Sequence, residues 1–402
     1  MRRGHVPPRG ALTRTRGRGY ASAFFAAAFL YSIPVSAQDV KVARADGASV
    51  VRLGLQTNEN TVSIVSGNLN ATYLAIAYDL SAVLDDGEKL RILPIVGKGG
   101  GQNIRDVRFL KGVDLGITQS NLLNQFRRSN EIGPIDDKIV YIAKLFNEEM
   151  HLVVRADSGI TTIDQLAGKK VNFSDVGSGT QLSTRDIFHR LGIAAEEVNV
   201  GQADAFEALK KGEIAASVLI AGKPTGSTAK LKAADGFRIL PVPFRKELQA
   251  DYLPATLTHE DYPNLIAAGE SVETIAVGAA LIAFNWPKDT DRYKRINKFV
   301  EAFFAKIPEF QKAPRHPKWR EINLAATIPG WKRFDGAEEW LARAREQAAA
   351  AQKDAAERTA ERTQLNEFLA ARPNARASAV SAEDREALFQ EFLKWKQAHQ
   401  RR

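Results

Sequence analysis

Cysteine is absent from all 402 residues. That removes disulfide scaffolds, thiol nucleophiles, zinc–thiolate sites and cysteine-linked lipid anchors together. It also suits a compartment in which an unpaired thiol is a liability. The six histidines, His5, His151, His189, His259, His316 and His399, include no two at metal-ligand spacing on one element. No metal site and no histidine-based catalyst is therefore expected. There is no Gly-x-Ser-x-Gly elbow. The stretch Gly97-Lys98-Gly99-Gly100-Gly101-Gln102 ends in no Lys-Ser/Thr pair and has no third spaced glycine. It is neither a phosphate loop nor a dinucleotide fingerprint, and no cofactor is expected. The longest apolar run, residues 21–33, is short for a hydrocarbon layer of ~30 Å, which argues against an integral membrane protein. With 44% hydrophobic and 26% charged residues, wholesale disorder is also excluded.

What charge there is has an uneven distribution. The net charge is +9. Six of those charges, Arg2, Arg3, Arg9, Arg14, Arg16 and Arg18, lie in the first 37 residues, which hold no acid. The excess therefore belongs to a leader and does not support a nucleic-acid partner. The arginines precede a compact apolar stretch, Pro34 and the small-residue triplet Val35-Ser36-Ala37. This pattern predicts a secretory signal peptide over residues 1–37, cleaved after Ala37, and a periplasmic location. An Arg-rich mitochondrial-type transit peptide is the alternative.

From residue 50 to about 285, short β-branched runs alternate with helical stretches, the pattern of an α/β fold with largely parallel strands. Strands are expected at 61–66, 90–96 and 114–118, and helices at 72–84, 102–110 and 180–191. Two adjoining strands, 139–146 and 151–155, are expected around Asn147-Glu148-Glu149, and a long β-rich run over 272–284. Beyond Gly336 the composition turns to Ala, Glu, Gln and Arg, which predicts a helix over 338–371 closed by Pro373. Ser381-Ala382-Glu383-Asp384 resembles a capping box opening a last helix with Leu388, Phe392 and Trp395 on one face. Its aromatic end is expected to dock on the main body, with a partner contact as the alternative.

Polar loops recur between a strand and the start of a helix: Gly67–Tyr73, Gly97–Asn103, Thr118–Asn121, Asp175–Thr180 and Gly222–Thr225. In an α/β sheet such loops collect at the carboxyl ends of the strands, where ligands bind. Free N–H groups at helix starts favour anions. Thr72, Tyr73, Asn103, Thr180 and Gln181 lie at or near such starts. Ser178 adds a hydroxyl, Gly179 close backbone access, and Lys98 and Lys223 positive charge. Each loop taken alone is also an ordinary turn or cap; their common position is what suggests a cleft.

At these loops the chain resembles the TAXI-type solute receptors of tripartite ATP-independent (TRAP) transporters. Asn70-Ala71-Thr72-Tyr73 stands for that family's Gly-Gly-Thr-Tyr loop, and Gly99-Gly100-Gly101-Gln102-Asn103 for its Gly-Ser-x-x-Asn loop. Gly112-Val113-Asp114-Leu115-Gly116-Ile117-Thr118-Gln119-Ser120 and Gly177-Ser178-Gly179-Thr180 follow in order. So do Asp164-Gln165-Leu166-Ala167-Gly168-Lys169-Lys170-Val171 and Tyr252-Leu253-Pro254-Ala255. The likeness covers about residues 58–335. It implies a two-lobed type II periplasmic-binding-protein fold: residues 50–148 plus 280–335 form one lobe, 149–279 the other, and 338–402 a C-terminal helical extension. It further implies a non-enzymatic receptor that takes an organic acid or amino acid and delivers it to the membrane subunits of a TRAP-type transporter. The expected ligand contacts are Asn70, Thr72, Tyr73, Gly100, Asn103, Gln119, Ser120, Ser178, Gly179, Thr180, Gln181 and Lys223. The alternatives are a sensing input for a membrane signalling receptor and, third, an enzyme.

Overall fold

The computed structural model describes residues 47–69, 71–87, 89–370 and 381–399. The expected leader with its cleavage position, Asn70, Pro373 and the side chain of Trp395 lie outside what is described.

A helix, α1 (Gly47–Asn60), leads into β1 (Thr61–Val65), α2 (Thr72–Leu84), β2 (Arg91–Ile95), α3 (Gly100–Phe109), β3 (Leu115–Gln119) and α4 (Ser120–Ser129). β1 runs parallel to both β2 and β3. In α2, Tyr73, Ile76, Ala77, Leu80 and Leu84 are buried. They follow the i, i+3, i+4, i+7 spacing that gives a helix one apolar stripe against a sheet. The chain then crosses to a second α/β region on β4 (Ile139–Arg155). There β5 (Lys170–Asn172), α5 (Gly179–Arg190), β6 (Glu196–Val198), α6 (Gln202–Lys211) and β7 (Ala216–Ala221) repeat the alternation, with β5 parallel to β6 and β7. β8 (Phe237–Ile239) and β9 (Leu253–Thr258) precede the return on β10 (Ser271–Phe284). β10 is antiparallel to β3, β4 and β9. The strands join in one sheet ordered β2-β1-β3-β10-β4-β7-β5-β6. The two long crossing strands thus sit at its middle and belong to both lobes.

Each lobe has its own core. Ile64, Ile76, Leu80, Leu115, Ile142, Leu281 and Phe299 form one, closed by Phe303, Trp319 and Phe334. Leu152, Val154, Leu166, Val171, Ile187, Val218, Ile275 and Val277 form the other. α7 (Asp291–Ala305) and the short α8 (Ile307–Phe310) return to the first core, with Thr290 Oγ1 capping α7 by accepting from Tyr293 N–H at 3.2 Å. This is the two-lobed periplasmic-binding architecture, with a helical extension, α9 (Asp335–Ala370) and α10 (Ala382–His399).

Three expectations are corrected. The paired runs around Asn147-Glu148-Glu149 are one continuous strand, because β10 pairs antiparallel with all three residues and β7 takes up the other side from Glu149 onward. Parallel pairing is confined to the outer strands; β4 and β10 run antiparallel to their neighbours because the chain passes between the lobes in both directions. The last helix packs on α9. Phe389 is its buried aromatic, lying under the Arg362 guanidinium, which also pairs with Glu386, while Leu388 on the expected face is exposed. Among the elements not anticipated are α1, whose side chains are nearly all exposed, the short α8, and β9, which carries Pro254.

Candidate ligand-binding cavity

A cavity of about 520 Å³ lies between the two cores. Four helices begin on its wall: α2 at Thr72, α3 at Gly100, α5 at Gly179 and α6 at Gln202. The starts of α2, α3 and α6 have no side-chain cap. A helix start carries N–H groups without an intrahelical partner and the positive end of the helix dipole. At α5, Ser178 Oγ accepts from Gln181 N–H at 3.1 Å. Leu69, Phe206, Leu219, Ile220 and Leu231 supply apolar wall, while Lys98, Asp204, Glu207 and Lys230 are exposed charges around it.

Glycine at two wall positions is required by the approach of the lobes. Gly100 has φ +48, and a Cβ there would stand 2.2 Å from the Gly179 Cα. Only a side chain of hydrogen lets the two helix starts meet at this distance. Hydrogen bonds close the same seam: Gln102 N–H donates to Gly177 O (3.2 Å), Thr72 Oγ1 to Gly222 O (2.9 Å) and Ser183 Oγ to Gln119 Oε1 (2.7 Å). Asn121 Nδ2 reaches both Ser183 Oγ (2.8 Å) and the Tyr252 hydroxyl (3.0 Å).

Glu148, from the middle of β4, is part of the cavity wall and only 2% exposed. The Tyr73 hydroxyl donates to its Oε2 at 2.5 Å, and the Gln119 side chain bonds to it as well. Burial raises its pKa to about 8; the bonds from Tyr73 and Gln119 oppose that rise, Glu149 adds to it and Lys318 opposes it. On the other side of the strand, Glu149 is paired with Lys318 Nζ (2.6 Å) and accepts from Lys223 N–H (3.0 Å). Lys318, 1% exposed, also pairs with Glu321 at 2.7 Å. His151, further along β4, bonds the Tyr262 hydroxyl through Nε2 at 2.7 Å, and burial lowers its pKa to about 4.

Of the contacts expected from sequence, Thr72, Tyr73, Gly100, Gln119, Ser178, Gly179 and Thr180 lie on the cavity wall. Four do not. Asn103 is fully buried behind it, its Nδ2 donating to the carbonyls of Val65, Ser66 and Ile117, so it ties α3 to the strand ends. Ser120 opens α4 with its hydroxyl against Gly278 of β10. Gln181 accepts from Gly177 N–H and donates to Glu197 and Asn199, holding its own loop. Lys223 is turned away, onto Asp261 and Thr256 O. The hydroxyls of Thr72 and Thr180 are also committed, the first across the seam and the second to Ile220, accepting from its N–H at 3.0 Å. Sequence reasoning missed Glu148, the start of α6 and Lys230. The available signal for Glu148 was an acidic pair inside an otherwise apolar β-run; α6 offered only a glycine before a helix.

A model of the NMT1-like family matches residues 64–330. Among solved structures, the periplasmic binding protein BugD is 15% identical, with a TM-score of 0.44, over 65% of this chain and 88% of that one. A substrate-binding protein of an ABC uptake transporter from Streptococcus pneumoniae, with bound histidine, is 16% identical with a TM-score of 0.39, over 68% and 97%. Holo ArgBP from T. maritima is 14% identical with a TM-score of 0.38, over 65% and 95%. Among the described residues, no helix is long and apolar enough to cross a membrane.

Proposed function

The chain belongs to the NMT1-like family, and on that premise we propose that it is an extracytoplasmic receptor. It captures a small carboxylate-bearing solute between its lobes, without transforming it, and hands it to the membrane subunits of a TRAP-type transporter. The lobes are residues 50–148 with 280–335 and residues 149–279. The observation that carries this reading is the convergence of four helix starts on one cavity. Such an array offers oriented N–H donors and positive dipole ends to an anion. The apolar wall from Leu219, Ile220 and Leu231 accommodates a short carbon chain.

A thermal-shift and native mass-spectrometry screen of small carboxylates and amino acids tests it. A solute at 100 times its dissociation constant adds ~2.7 kcal/mol of stability. A screen in which only neutral or purely cationic solutes respond rejects the carboxylate. Export is tested separately: protein recovered outside the cytoplasm begins at Gln38. One feature favours a second reading as a sensing input: α9 and α10 extend beyond the family match, and every residue from 345 to 360 is exposed. A TRAP permease gene beside this one supports delivery; a membrane kinase gene supports sensing.

A further inference from the structure

We propose that Glu148 determines the specificity of this cavity: it receives a protonated nitrogen of the solute, and releases its own proton to solvent as that nitrogen arrives. The inference rests on the reading of the cavity as a solute site and adds a second recognition group to it. Glu148 is a buried carboxyl hydrogen-bonded by two neutral side chains. Tyr73 donates its hydroxyl, and Gln119, whose Oε1 is taken by Ser183, bonds through its remaining amide group. The carboxyl is thereby organised as an acceptor, yet among the described residues no lysine or arginine forms an ion pair with it. The nearby cation, Lys318, is held by Glu149 and Glu321 behind the strand. Its other charged surroundings are Glu149 on its own strand and, around the cavity, Lys98, Asp204, Glu207 and Lys230.

A buried carboxylate needs a counter-charge. The adjacent glutamate shows how this protein provides one when it is meant to be permanent. At Glu148 the place for it opens into the cavity. Without solute, burial keeps Glu148 protonated at neutral pH, its pKa standing at about 8. When an ammonium group enters, the carboxyl loses its proton to water, the ammonium keeps its own, and an ion pair replaces a neutral acid. The helix starts take the solute's carboxylate.

The test uses the full chain and three probes: L-glutamate, its deaminated counterpart glutarate, and n-butylammonium against sodium chloride of equal ionic strength. Calorimetry at pH 7 in buffers of different ionisation enthalpy should show close to one proton released per L-glutamate and none for glutarate. Glu148→Gln, which keeps the shape of the neutral acid, should abolish the release. It should weaken L-glutamate roughly tenfold to a hundredfold while sparing glutarate. Butylammonium should raise the melting temperature of the wild type and not of the variant. If it does so while neither carboxylate binds, the nitrogen seat stands and the carboxylate reading falls. L-glutamate and glutarate binding alike without proton release overturns the seat and leaves the carboxylate reading intact. No effect of butylammonium on the wild type also overturns it.

Discussion

Glu148 and Glu149 are consecutive on one strand, equally buried, and face opposite sides of it. On the outer side, Glu149 meets a lysine that is itself buried, so the charge is answered within the fold. On the cavity side, Glu148 meets a tyrosine and a glutamine and holds its proton. The alternation of a β-strand places the two side chains in separate environments one residue apart. The outer side is structural machinery with its charges balanced; the inner side is left one charge short.

The comparison breaks most sharply at Lys318. Lys318→Met leaves Glu149 buried beside no cation, and loss of one partner of a buried pair costs ~3–5 kcal/mol. Urea denaturation should show that loss, and Glu149→Leu added to Lys318→Met should recover much of it, since an apolar pair needs no counter-charge. A variant as stable as the wild type would show that the outer side is not the balanced one.

Next in size is closure of the inner side. Gly100→Ala puts a methyl 2.2 Å from the Gly179 Cα. Overpacking of this kind costs ~1–3 kcal/mol, here charged against closure and not against either core. Solute affinity should fall about tenfold to a hundredfold, with near-native unfolding and a larger radius of gyration in X-ray scattering.

The two sides also differ in pH response. Glu148, raised from 4.5 to about 8, contributes stability that is complete below pH 4.5 and lost as pH rises to about 8. His151, lowered from 6.5 to about 4, contributes stability present above pH 6.5 and lost as pH falls toward 4. Between pH 4.5 and 6.5 the two slopes oppose. From 6.5 to 8, Glu148 acts without His151, with a slope of up to ~1.4 kcal/mol per pH unit. Glu149, also raised by burial, adds in the same direction. The solute-free wild type should therefore lose stability over pH 6.5–8, and Glu148→Gln should reduce that slope. Equal slopes would place the titration elsewhere.

The smallest effect concerns the arm. Trp340 and Leu341 pack on the first core, but residues 345–360 are exposed throughout. Deleting residues 347–402 should change solute affinity by less than about threefold, within ~0.7 kcal/mol.

Periodicity made much of the fold legible. The α2 and α7 stripes, the strand–helix alternation and the Ala-rich helix that became α9 all follow from local pattern. The glycines at 100 and 179 and the threonine at 72 were legible as wall residues because helix starts after strands converge by the rules of α/β topology. Asn103, Gln181 and Lys223 carry the same donor chemistry as true wall residues. What separates them is which way each side chain turns, and local sequence does not encode that.

By itself the sequence determined the strand–helix alternation, the long β-rich runs and the polar loops at helix starts; the division into two lobes was what the family resemblance implied. The alternation and the loops depend on hydrophobic period and turn chemistry, which act over a few residues. Only the tertiary structure decided that Asn147-Glu148-Glu149 lies inside a strand and that its two acids meet different partners. Lys318 reaches Glu149 from 169 residues away, and Tyr73 reaches Glu148 from 75. The protonation state of a buried carboxyl depends on which charges surround it in space, and no local pattern carries that information.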